Sequence, residues 1–441
     1  MVAWDVRARR PLWRLPAHTP SSGALHAELA PGSSARVLTQ GRDGTLKCWR
    51  TSGAGADGDP RAPPRAPPSW TLSSGSYHYC KFATRRGEAW DGSSGTVGSL
   101  VAVAGETQSA VDVCEMPSLN DDDDDENTDA DADAATSRMG TPRRLASLIA
   151  AADREHASAA ARETKDTTGG SLNSSSSESR DRLGVVMAVA FLPRTRGGDP
   201  SGASVAILAA HEEGTVCLWT LRGGDDEGEG SDDETRKRLR ERIPRAERND
   251  EPTWRTRAHG DAATCLAADA RGEGFVSGGA DGACVRFRVA WGDDDGDRVD
   301  DGDRVGVTVE TLRTHGPFAP RNPNVHAAGD VRALGGVAAV AVRDDLKIFA
   351  AGYWDGRVRL FEYGARSSGR KLASFGYHEH AATCVAFAPT RGGREWAGHA
   401  GWLASGSRDG TVAMWAVYPP KEEEEAKGGE GDGDDGRLER A

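Results

Sequence analysis

Along this chain short apolar runs come in pairs, each pair split by a glycine turn and written in one register. The stretches TQGRDGTLKCW (39–49), HEEGTVCLW (211–219), GGADGACVRF (278–287), GYWDGRVRLF (352–361) and SGSRDGTVAMW (405–415) share a frame. An acid precedes a glycine, and an aromatic stands six residues after the acid: Asp43/Trp49, Glu213/Trp219, Asp281/Phe287, Asp355/Phe361 and Asp409/Trp415. Runs this short, bounded by turn residues, predict strands rather than helices. Asp-Gly suits a tight turn whose central positions need positive φ, so each phrase predicts a β-hairpin. Recurrence at this spacing is the mark of a repeat architecture.

The third strand of each unit can be followed as VAWDV (2–6), TLKCW (45–49), AVDVCEM (110–116), TVCLW (215–219), CVRF (284–287), RVRLF (357–361) and TVAMW (411–415). Seven such strands predict an all-β ring of seven four-stranded sheets, which closes without exposed sheet edges. Because the first of them begins at residue 2, the first sheet is expected to be truncated on its N-terminal side, leaving the ring open there. The expected division is 1–116 for units one to three, 183–222 for unit four and 251–418 for units five to seven. Between them lie insertions at 117–182 and 223–250, an acidic loop at 291–304 and a tail at 419–441. These are charged or serine-rich and are expected to stay disordered. Within the first insertion, TPRRLASLIAAADREHASAAARE (141–163) reads as helix-prone, with Leu145, Leu148, Ile149 and Ala152 on one face.

Charge sharpens this division. The net charge is −13, yet residues 117–135 hold nine acids and no bases, 291–304 seven acids and two bases, and 419–441 nine acids and four bases. The acidity therefore belongs to the appendages, and the remainder is mildly basic. Overall acidity argues against direct nucleic-acid binding. No run of eighteen apolar residues predicts a membrane span, and the opening MVAWDVRARRPLW lacks the apolar stretch of a signal peptide. The seven cysteines are scattered through apolar runs with no C-x-x-C pair, which predicts buried, reduced thiols.

A further spacing lies upstream of the hairpins. His259 and His378 each stand six residues before a strand cysteine, Cys265 and Cys384, and His18 holds the comparable place before ALHAEL. These residues resemble the WD-repeat β-propeller family. The resemblance implies buried hydrogen-bonded tetrads of histidine, Ser/Thr, aspartate and tryptophan: His18, Thr39, Asp43, Trp49 and His378, Ser405, Asp409, Trp415. A weaker set is His259, Ser277, Asp281, with Phe287 in place of tryptophan. The trio recurs in several units, whereas an active site occurs once, so it is read as structural rather than as a catalytic Ser-His-Asp. No phosphate loop, zinc spacing or nucleophile elbow is found, and no catalytic, cofactor or metal residue is assigned.

VCEMPS (113–118), AGYWDGRVRLFEY, HAATCVAFAP and the ending GSRDGTVAMWAVYPP look like the guanine-nucleotide-binding-protein β-subunit-like protein 1 family, whose fungal counterpart is ASTRA-associated protein 1. That resemblance implies a non-catalytic scaffold in the nucleus and cytoplasm, a monomer within a complex. Its members work with the TTT co-chaperone assembly that matures phosphatidylinositol-3-kinase-related kinases, and in fungi with a chromatin complex. The residue before each turn acid is expected on a partner-binding face: Arg42, Glu212, Ala280, Trp354 and Arg408. Trp354 with Arg408 has the composition of an interface hot spot. A rival reading is the substrate receptor of a cullin-type ubiquitin ligase, since WDVR (4–7) fits the W-D-x-R of such propellers.

Overall fold

A computed structural model describes residues 1–5, 8, 10–19, 23–31, 33, 36–50, 67–74, 79–85, 99–117, 142–150, 153, 182–193, 205–221, 251–291, 307–318, 335–364, 369–390 and 400–418. Its regular elements are strands gathered into seven antiparallel sheets. The strands β1 (Val2–Asp5) and β2 (Arg10–Arg14) form a two-stranded ribbon. Then come four-stranded sheets of β3 (Ala24–Leu29), β4 (Arg36–Gly41), β5 (Thr45–Arg50) and β6 (Trp70–Ser73), and of β7 (Ala83–Arg85), β8 (Leu100–Ala104), β9 (Val111–Glu115) and β10 (Arg143–Leu148). The next holds β11 (Val186–Leu192), β12 (Val205–His211), β13 (Thr215–Leu221) and β14 (Trp254–Arg257). It is followed by β15 (Ala263–Ala268), β16 (Gly274–Gly279), β17 (Cys284–Trp291) and β18 (Val307–His315). The last two are β19 (Val337–Val342), β20 (Ile348–Tyr353), β21 (Val358–Glu362) and β22 (Lys371–Phe375), then β23 (Ala382–Phe387), β24 (Leu403–Ser407) and β25 (Val412–Trp415).

In every sheet of three or four strands the strands pair in chain order, the meander of a propeller blade. Six sheets reach that size among the described residues, so the expected count of seven blades is not met. Among the described residues the first of the seven expected strands, β1, pairs with β2 alone and no layer covers the ribbon: Val2 is 41% and Trp4 53% exposed.

The helix expected within 141–163 is also corrected. Arg143–Leu148 is the outer strand β10, paired with β9 from Arg143↔Glu115 to Leu148↔Val111. A short isolated helix is marginal in water, while the open edge of β9 offers a full ladder. The strand also buries Ala146 and Leu148 and sets Arg143 against Glu115 at 3.1 Å and Arg144 against Asp112 at 3.2 Å. This strand lies inside the interval 117–182 that the sequence reading treated as one insertion.

The second strand of each sheet of three or four strands is largely buried. The strand β8 (LVAVA) is buried at all five positions, and β16 and β20 are buried throughout. A strand covered on both faces needs a continuous run of apolar or small residues, which is why these segments show no alternation. The outer strand β18 has one covered face and alternates over Val307–Glu310. Turn glycines Gly44, Gly214, Gly282, Gly356 and Gly410 all have φ between 72° and 82°, as the hairpin turns require.

The core is correspondingly divided. Each hydrophobic cluster straddles two successive sheets: Leu38 and Leu46 with Val101 and Met116, Val113 with Ile207 and Trp219, Leu208 and Leu218 with Phe275 and Phe287, Val276 with Phe349 and Phe361, and Leu360 with Ala382 and Leu403. Among the described residues no cluster joins the β23–β25 sheet to another beyond it, and Val412 there is 66% exposed.

The thiols record this difference. Six cysteines are buried, and burial raises their pKa, to about 12 at Cys80, Cys217 and Cys284. Cys384 on β23 is exposed, against the sequence expectation, whereas Cys265 at the equivalent place on β15 packs on Val337. We expect a thiol-reactive chromophore to label one cysteine in the native protein and seven in denaturant. Cys384→Ser should abolish the native label; rapid labelling of a second thiol would contradict this packing.

Candidate functional site: the turn end of the sheets

The turns between second and third strands, and the entries to the innermost strands, lie at one end of the sheets. Gln40, at the end of β4, shows this across two sheets: its side-chain amide donates to the Cys80 carbonyl at 3.1 Å and accepts from the Phe82 amide at 3.0 Å. Likewise Thr264, entering β15, donates to the Val337 carbonyl at the entry to β19.

The first tetrad is complete. The Trp49 indole N–H donates to Thr39 Oγ1 at 2.8 Å, and Thr39 lies 3.0 Å from His18 Nε2. His18 Nδ1 lies 3.0 Å from Asp43 Oδ2, and Asp43 also accepts from Thr45. With tryptophan donating to the hydroxyl, the hydroxyl must donate to Nε2, leaving the proton on Nδ1 for the carboxylate. The bonds from Thr45 and His18 hold Asp43 below the usual carboxylate range despite partial burial. The second set joins His259 Nε2 to Ser277 Oγ at 2.8 Å and Nδ1 to Asp281 at 3.1 Å. Phe287 makes no polar bond and instead stacks on Phe275 at 4.5 Å.

The third set differs. Trp415 donates to Ser405 at 2.9 Å and Ser405 meets His378 Nε2 at 2.7 Å. His378 Nδ1 then bonds Thr411 Oγ1 at 2.9 Å, and Thr411 donates to Asp409 at 2.6 Å. Asp409 itself stands 3.9 Å from the ring, so a hydroxyl relays the contact. The threonines were missed by sequence reasoning, although RDGT in both phrases places a hydroxyl two residues after the acid.

A loop histidine needs room. A Cβ on Gly41 would lie 2.3 Å from His18, and one on Gly279 would lie 2.4 Å from His259. Where no loop histidine occupies this hole, the strand fills it: the equivalent register positions carry His211 in β12 and Tyr353 in β20. Tyr353 packs beneath the Arg359 guanidinium, 4.1 Å away, and Arg359 pairs with Asp355 at 2.7 Å. His211 is buried with neither ring nitrogen hydrogen-bonded. Burial lowers its pKa to about 4, against an opposing contribution from the Gly184 backbone.

The residues expected on the partner face fall into two groups. Arg42, Glu212 and Arg408 are exposed at the turns, and Ala280 is half-buried. Trp354 is half-buried too: its ring lies over Gly336, at the entry to β19 in its own sheet, where a Cβ would come within 2.6 Å. Its amide bonds the Gly336 carbonyl at 2.8 Å. Among the described residues no hydrogen bond, ion pair or ring contact joins Trp354 to Arg408 directly. Among the described residues no group of three or more His, Cys, Asp or Glu could hold a metal ion.

Comparison with known proteins finds the following similarities. Residues 369–416 match the WD domain, G-beta repeat family. The chain is similar to guanine nucleotide-binding protein subunit beta-like protein 1 of Mus musculus, 36% identical over 84 residues, which is 19% of this chain and 22% of that protein. It is also similar to ASTRA-associated protein 1 of Aspergillus flavus, 26% identical over 274 residues, or 54% of this chain and 52% of that one. The chain thus spans about half or less of the curated relatives it matches. The β-propeller domain of Cps50 (Swd1) from Myceliophteria thermophila aligns at 11% identity with a TM-score of 0.49, over 95% of this chain and 90% of that one.

Two outcomes test this geometry. Thr39→Val strands both His18 Nε2 and Trp49 Nε1 and should cost ~1–3 kcal/mol in urea unfolding. Ser277→Ala, which strands one nitrogen, should cost less. Second, His211 and His315 each have a pKa lowered to about 4 by burial, and His259 and His378 are lowered in the same sense. The unfolded chain takes protons on these rings from about pH 6.5, earlier than the folded one, so stability falls as pH drops from there toward 4. The melting temperature should decline over that window, and His211→Leu should flatten the decline.

Proposed function

We propose that this chain is a non-catalytic WD-repeat scaffold acting in co-chaperone-assisted maturation of phosphatidylinositol-3-kinase-related kinases, or in an associated chromatin complex. The observation that carries this reading is the likeness to ASTRA-associated protein 1, which runs through 54% of the chain rather than one repeat. Repeats alone are shared by propellers of many functions. The tetrads support it by their burial: Thr39, Ser277 and Ser405 are at most 1% exposed, so their hydroxyls are shut away from any substrate. Arg42, Glu212 and Arg408 belong to the face offered to partners. The reading includes a seven-bladed ring, with the β1–β2 ribbon part of its first blade. It also includes residence in nucleus and cytoplasm as one copy within a complex, without direct contact to nucleic acid or membrane.

One observation favours a second reading, the substrate receptor of a cullin-type ubiquitin ligase. Trp4 of the WDVR stretch is exposed on β1, open to an adaptor; Arg7 lies outside the described residues. Affinity purification of the full chain from cells, followed by mass spectrometry, separates the two. Recovery of kinase-maturation co-chaperones is expected. Recovery instead of ligase subunits, lost on Arg7→Ala, would replace the scaffold reading with its rival.

A further inference from the structure

Three cations from three sheets converge at the turn end. Lys81, just ahead of β7, reaches the Thr383 carbonyl on β23 with Nζ 3.1 Å from the oxygen. Two residues before Thr383, the Ala381 carbonyl accepts the Arg408 amide at 3.1 Å, so the β24–β25 turn stands beside that contact. On the other flank Tyr79, two residues before Lys81, lies 4.8 Å from the Arg42 guanidinium, ring against charge. Gln40 clamps the intervening Cys80 and Phe82 backbone, fixing the stretch between them. Arg42 and Arg408 are exposed, and Tyr79 is 68% exposed.

The cations of this patch lack a carboxylate partner among the described residues, and the acids beside it are engaged. Asp43 is bound to His18 and Thr45, and Asp409 to Thr411 and the Glu379 amide. Glu379 is the one exposed carboxylate adjoining the patch in the β23–β25 sheet. The acidic runs are attached elsewhere. Residues 117–135 follow β9, 291–304 follow β17 and 419–441 follow β25, and each of these third strands runs away from the turn end.

We propose that Arg42, Tyr79, Lys81 and Arg408 form a docking site for an acidic peptide segment of a protein partner, with an apolar side chain that covers Tyr79. The inference takes from the proposed function only that the chain works by binding protein. Carboxylates suit the two arginines, whose planar heads each donate to two oxygens. An exposed tyrosine beside arginine is the composition that anchors peptides. A long polyanion such as RNA is disfavoured, because three cations give a small footprint and the acidic runs repel phosphates.

The test uses the purified full chain and a fluorescein-labelled octapeptide of glutamates around one phenylalanine, read by anisotropy. Saturable binding is expected, weakened on the order of tenfold by Arg42→Glu with Arg408→Glu and by added salt. Both arginines are exposed, so an unchanged melting temperature verifies the fold. Arg370→Glu, at the opposite end, should leave affinity unaltered, and Tyr79→Ser should weaken this peptide more than an all-glutamate one. The proposal is overturned if the peptide does not bind, if the double variant binds like the parent, or if Arg370→Glu weakens binding equally. Preference for a twenty-base oligothymidylate through the same arginines would also overturn it. Loss of co-chaperones from the cellular purification, with peptide binding intact, would remove the proposed setting and leave this site standing.

Discussion

Burial of the second strands between neighbouring sheets is the constraint from which the rest of the structure follows. A sheet covered on both sides cannot complete its core from its own residues. Val101 needs Leu38 in the sheet before it, and Ile207 needs Val113 in the same way. Stability is therefore distributed over interfaces between neighbours, as in repeat proteins whose units hold only in company. The exposed Val412 marks where that company ends among the described residues.

The polar networks solve a second problem set by the same packing. In five sheets the turn end has a space beside the second strand, and an unfilled space in a packed interior costs stability. Three sheets plug it with a loop histidine, and two of these keep a bare glycine at the strand position beneath. Two others bring His211 or Tyr353 from the strand itself. The loop histidines add satisfied hydrogen bonds and so tie the entry loop to the turn. His211 fills space without that gain, which explains why its ring is kept neutral by burial alone.

Much of this was legible in the chain. The acid–glycine–aromatic frame located every hairpin it named, and His18, Thr39, Asp43 and Trp49 meet as the family resemblance implied. Three kinds of feature were not legible. The strand at Arg143–Leu148 carries helical spacing, and only the open edge of β9, a tertiary fact, decides its form. Trp354 looked exposed because its turn position is exposed elsewhere, but Gly335–Gly336 leaves a flat bed on which the indole settles. The exposure of Cys384 depends on what stands beside β23, which no local pattern encodes.

The common direction of the third strands has a consequence for how molecules meet this one. Acid-rich sequences are rooted past the third strands, while at the turn end Arg42 and Arg408 lack a carboxylate partner among the described residues. A charged visitor would be turned before it touched, arriving preferentially with its negative side toward Arg42 and Arg408. Such steering acts on encounter rate more than on residence time, and it fades as ionic strength rises.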